Sequence, residues 1–174
     1  DHFVCSTRER LLSGYGVKNR STDDPKLYCG GCLFIDEATD YVIVEFQKHL
    51  NTHETLAALE AFEEKARNVG VILQSFTTDN GSCFTSRGFV AHLSKFAQTI
   101  RHAGAGSHHQ NGKAERAIQT IMGIARTMML HAAIHWPETA DPTLWPLAVN
   151  HAVWLWSHLP KTDTGLSPQD LWTR

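Results

Sequence analysis

The longest unbroken pattern in this chain begins at Asn111, a plausible N-cap. Apolar residues at 114, 117, 118, 121, 124, 125, 128 and 129 recur at helical period and share one face. A helix of that length with a single apolar stripe needs a broad apolar surface to lie on, and upstream runs supply it. Residues 27–35 and 41–47 (YVIVEFQ) are rich in β-branched and aromatic side chains. The DEATD run at 36–40 between them has the composition of a tight turn. Residues 1–5 read as the tail of a first strand, and the short connections predict an antiparallel meander of three strands.

The rest alternates. Thr52 is the expected N-cap of a helix that Gly70 stops, with Leu56, Leu59, Ala61, Phe62 and Ala66 facing the core and Glu60, Glu63 and Glu64 facing water. Residues 71–76 are short and apolar, as in a central strand. A helix is expected over 86–96, a brief strand over 99–102, a Trp- and His-rich helix over 143–159, and a last short helix capped by Ser167-Pro168. Residues 6–26 are polar and read as a long loop or extended hairpin. The order βββαβαβαα is that of an α/β fold with five strands, and residues 1–174 are expected to form one domain, 143–174 being its C-terminal helices.

The net charge of −2 argues against a self-sufficient DNA-binding module, which is usually basic. It suits a catalytic core whose flanks supply the grip on nucleic acid. The chain opens at Asp1 without a methionine and reads as a piece of something longer. No apolar run approaches the roughly 20 residues of a membrane span, so no membrane partner is expected. Cys29-Gly-Gly-Cys32 invites a metal or redox reading. On a strand, however, residues three apart point to opposite faces, so buried or half-buried thiols are expected instead.

Three acids stand out. Asp79 follows the fourth strand in TTDNGSCF, and residues 80–114, 35 in number, separate it from Glu115. Asp1 opens the first strand. Two carboxylates at strand ends and one on a helix are suited to hold divalent metal for phosphoryl transfer on nucleic acid. Asp36 and Asp40 are better explained as turn formers. His108-His109 lack the spacing of a metal site, whereas Ser107, His108, Gln110 and Asn111, with Lys113, Arg116 and Gln119 close by, are candidate DNA contacts.

With Asp1, TTDNGSCF around Asp79 and HHQNGKAERAIQTIMGIARTM around Glu115, the sequence resembles the catalytic core of retroelement integrases, the D,D(35)E enzymes. The Trp- and His-rich segment at 145–160 and Thr164-Gly165-Leu166-Ser167-Pro168 look most like the copia-type retrotransposons. The resemblance implies a ribonuclease H-like fold, a five-stranded mixed sheet flanked by helices. It implies Asp1, Asp79 and Glu115 as catalytic acids holding two Mg²⁺ (or Mn²⁺) ions, which repelling carboxylates need before they close. The implied activity is 3′-end trimming of element DNA followed by strand transfer into target DNA. Homo-oligomers and a location in the nucleus or cytoplasm of a host cell follow from the same likeness. The alternatives are a purely hydrolytic nuclease of this fold and a non-catalytic, nucleic-acid-binding remnant.

Overall fold

A computed structural model describes residues 1–5, 28–103 and 108–174, the side chains of 108–111 excepted; the polar loop expected over 6–26 lies outside the described residues. The elements run β1 (His2–Val4), β2 (Gly30–Ile35), β3 (Val42–Gln47), α1 (Thr52–Asn68), β4 (Ser75–Thr78), α2 (Arg87–Lys95), β5 (Thr99–His102), α3 (His108–His135), a 3₁₀ turn (Pro142–Leu144), α4 (Trp145–His158) and α5 (Pro168–Trp172).

The meander forms as expected. His2 lies opposite Cys32 and Leu33 opposite Val44, both pairings antiparallel. Its turn is built by Asp36, whose Oδ2 accepts the Thr39 N–H at 2.8 Å. In Cys29-Gly-Gly-Cys32 the glycines matter more than the sulfurs. A Cβ on Gly30 would stand 2.1 Å from the Phe3 carbonyl oxygen, and one on Gly31 would stand 2.8 Å from the Phe3 ring. Only a bare backbone lets Phe3 lie across β2. Cys29 is half-buried and Cys32 buried, each a free thiol, as expected.

A continuous five-stranded sheet is not what the described residues show. They form a three-stranded antiparallel sheet and a separate parallel pair, β4–β5, with Phe76 opposite Ile100. The reason lies at the open edge of β1. Asp1 exchanges backbone bonds with Leu33 at 2.8 and 2.7 Å, so the next N–H, that of His2, points away from β2. A fourth strand would take that donor, but the Asp1 carboxylate accepts it at 2.8 Å. The apolar run at 71–76 is also not a central strand. Gly70, at φ 80°, closes α1, and the Val71 N–H still bonds to Ala66 O at 2.9 Å. Ladder pairing therefore begins only at Ser75, and Ile72 is left 83% exposed.

Two apolar layers cover the meander. Cys32, Phe34 and Ile43 face α1 and α2 through Leu59, Phe62, Phe89 and Leu93, and Trp172 of α5 joins them, stacked on Tyr41 at 5.0 Å. Phe3, Leu33 and Val42 face α3 and α4. There the buried residues Ala117, Ile121 and Ala125 of α3 meet Val149 and Ala152 of α4, a seam whose alanines let two helices approach closely. Alternation along each strand sends neighbours to opposite layers.

Three boundaries differ from expectation. Asn51, not Thr52, caps α1, its Oδ1 accepting the Glu54 N–H at 2.9 Å. The long helix starts at His108 rather than after Asn111, since nothing in 108–110 breaks a helix. By length and composition its stretch Gly112–His135 is apolar enough to cross a membrane, contrary to expectation. Lys113, Glu115, Arg116 and Arg126 nevertheless interrupt its circumference, and the buried side chains of Ala114, Ala117, Ile121 and Ala125 form one stripe. The last helix carries the predicted Ser167 cap as a full capping box with Asp170.

Candidate active site

Asp79 is the first residue after β4, and the chain around it is fastened to the end of β5. Ala103 N–H donates to Thr78 O at 2.8 Å, and the Asn80 side-chain amide donates to Ala103 O at 2.8 Å. His102 Nδ1 lies 3.2 Å from Thr78 Oγ1 and 3.4 Å from the Asp79 carbonyl. The half-buried Asp79 carboxylate accepts the Gly81 N–H at 2.9 Å. A Cβ at position 81 would stand 2.9 Å from that carboxylate oxygen. Any larger residue there would push the acid's carboxylate aside, a consequence that the sequence alone did not show.

Asp1 is held by β2 through its backbone and by His2 through its carboxylate. The His2 ring stacks on Phe84 at 4.7 Å, with Nε2 3.0 Å from Thr55 Oγ1. Burial lowers its pKa to about 4; the Asp1 ammonium adds to that lowering, and the Asp79 carboxylate opposes it. Burial likewise pushes the Cys32 thiol up, the ammonium opposing and the charges of Asp79 and Cys83 adding to the rise. The field of Asp79 therefore reaches side chains on β1 and β2 although no ladder joins β4 to them.

Glu115 is half-buried on α3, which packs on β2 and β4. Lys113, just before it, anchors the start of this helix. Its Nζ lies 2.5 Å from Asp40 Oδ1 and 3.8 Å from Glu37 Oε1, and it also donates to the Glu37 carbonyl. Lys161 pairs with Asp40 Oδ2, and the Trp156 indole N–H donates to the Asp40 carbonyl at 2.8 Å. Asp40 itself adopts φ 60°, a left-handed conformation that costs a non-glycine residue energy. A turn former in the sequence is thus also a junction for β2–β3, α3, α4 and the segment after it.

The three acids are not gathered into one ligand set. Among the described residues no three His, Cys, Asp or Glu side chains stand close enough together to hold a metal ion. Their donor chemistry suits Mg²⁺ or Mn²⁺, which favour carboxylate oxygen, but Asp1 and Asp79 each have a carboxylate oxygen turned onto a nearby backbone N–H. Of the candidate DNA contacts, Ser107 lies outside the described residues, and His108, Gln110 and Asn111 sit in the first turn of α3 with side chains outside them. Lys113 is committed to Asp40 and Glu37, whereas Arg116 and Gln119 are exposed on α3.

Sequence reasoning misplaced Glu63. Read as part of a solvated face, it is buried, its Oε2 2.9 Å from His92 Nε2. The available signal was spacing, since Glu63 shares a helical stripe with the buried Leu59 and Ala66.

The sequence matches no family model and no curated protein. Solved structures do resemble the fold. The HTLV-2 integrase catalytic core domain in complex with magnesium, in its trimeric form, matches with a TM-score of 0.58 and 22% identity over 82% of this chain and 83% of that one. Its dimeric form gives 0.58 and 21% over 82% and 85%. A chain of the simian T-cell lymphotropic virus intasome in complex with the PP2A regulatory subunit B56 gamma gives 0.63 and 19%. This chain spans 47% of the length of that intasome chain. The fold is accordingly the ribonuclease H-like α/β fold of integrase catalytic cores.

Proposed function

We propose that this chain is the catalytic core of an integrase, a polynucleotidyl transferase that trims DNA 3′ ends and joins them to target DNA, encoded within a copia-type retrotransposon polyprotein. The observation that carries the reading is a coincidence of pattern and fold. Acids at the first strand, just after β4 and on α3, with 35 residues between the last two, occur in a chain folded like magnesium-bound integrase cores.

In this reading Asp1, Asp79 and Glu115 would hold two Mg²⁺ (or Mn²⁺) ions, which supply a lowered pKa for the attacking oxygen and stabilisation for the leaving one. The chain's own contributions are definite. The β5 tether fixes the backbone at Asp79, and Gly81 leaves room for its carboxylate. The Asp40 junction sets the start of the helix that bears Glu115. Arg116 and Gln119, exposed next to Glu115, would contact phosphate and fix the position of DNA without reading its sequence. No Ser, Cys or Tyr nucleophile is required, because attack by water and then by a 3′-hydroxyl needs no covalent protein intermediate. The core would act on DNA inside the host cell as a homo-oligomer.

The test is Glu115→Gln in the full-length parent protein, assayed for strand transfer with Mg²⁺. The expected result is loss of joined product by at least about 100-fold, equal to about 2.7 kcal/mol of transition-state stabilisation. Undiminished joining would defeat the assignment. Cut but never joined DNA from the unmodified protein would make it a hydrolytic nuclease.

A further inference from the structure

The α1–α2 side of the molecule carries chemistry that the three acids do not use. Glu63 on α1 is only 6% exposed. One carboxylate oxygen meets His92, whose other ring nitrogen lies 3.6 Å from Glu60, while Oε1 is buried with no hydrogen-bond partner. Gln98, just before β5, likewise has a buried, unpartnered Oε1. Both residues line one cavity of about 170 Å³, together with Val71, Ile72 and Phe96, and with the exposed Arg67, which lines it too.

A buried acceptor without a donor is costly, about 1–3 kcal/mol and more for a charged group. Both orphaned atoms are acceptors, one of them on a carboxylate, so the missing group is a donor and preferably a cation. The walls beside them are apolar, which suits a methylene stem. The volume is several times the roughly 30 Å³ that one water occupies in the liquid. A primary ammonium has three donors and no acceptor, carried on a flexible stem that packs on apolar surface.

We propose that this cavity binds a primary alkylammonium group, carried either by a lysine side chain of a partner protein or by a free amine. The inference is independent of the DNA chemistry, since none of its residues belongs to the acid trio.

Backbone amide shifts of the full chain, titrated with n-butylammonium chloride, N-acetyl-lysine methylamide and 1-butanol, test it. Saturable shifts confined to 63–73 and 96–98 are expected with both cations and not with the alcohol. Tighter binding of the blocked lysine assigns a side chain as the source, and tighter binding of butylammonium assigns a free amine. Glu63→Gln should weaken both by about tenfold or more, and Gln98→Leu serves if that variant does not fold. Equal shifts with 1-butanol, absence of saturation at millimolar cation, or unchanged affinity in a folded variant would each overturn the proposal.

Discussion

Asp79 and Glu115 are held by different kinds of interaction. The segment around Asp79 is fixed by bonds that end on the backbone, with Ala103 to Thr78, Asn80 to Ala103, and Gly81 to the carboxylate itself. The helix that carries Glu115 is fixed mainly through its own side chains, a seam of Ala117, Ile121 and Ala125 beneath it and Lys113 at its start, paired with Asp40. Backbone-made positions depend little on salt or on side-chain identity. Side-chain-made positions can be adjusted, and broken, one residue at a time. The helix is thus the adjustable half of the site and the strand end the fixed half.

The largest effect should come from the seam. Ile121→Ala removes a fully buried side chain between α3 and α4 and should cost about 2–5 kcal/mol, read from the denaturation midpoint. A loss below about 1 kcal/mol would mean that the seam does not anchor the helix. Gly81→Ala probes the other half. Its new Cβ meets the Asp79 carboxylate at 2.9 Å, so strand-transfer activity should drop about tenfold or more while the melting temperature changes little. A parallel fall in stability would show that the strand end is fragile after all.

Asp40→Asn comes next. It removes the charge shared by Lys113 and Lys161, and exposed ion pairs contribute up to about 1 kcal/mol each. Destabilisation of that order should shrink as salt is raised, and the same salt series should leave the β4–β5 end unaffected. The smallest effect is one of pH. His2 has a folded pKa of about 4 against an ordinary value near 6.5. Below the latter the unfolded chain binds the extra proton, so stability should decline as pH falls from about 6.5 towards about 4 and level off beneath it. His2→Gln should flatten that part of the profile; an unaltered slope would show that another group is responsible.

Most of the architecture was legible because it rests on local pattern. The meander, the helix capped by Ser86, the Thr99–His102 strand and the Ser167 cap all follow from period and turn chemistry. What was hidden depends on partners remote in the chain. Glu63 looked solvated until His92, 29 positions away, was set against it. Nothing in the local pattern around Lys113 shows that its ammonium meets Asp40, remote in the chain. The run at 71–76 looked like a core strand because hydropathy does not show that Val71 is still closing a helix. At the candidate site, the sequence offered the three acids, and the fold that carries them is that of integrase cores. It could not say which of the surrounding groups brace them.

The hairpin between β2 and β3 looks like the part most tolerant of change, being short, polar and at the surface. Its length is nevertheless a tuned dimension. One additional residue there would swing the Asp40 carboxylate and carbonyl away from two lysines and an indole drawn from two distant stretches of chain. An epitope tag or a protease nick placed in this hairpin would therefore be felt at Glu115, well beyond the site of the cut.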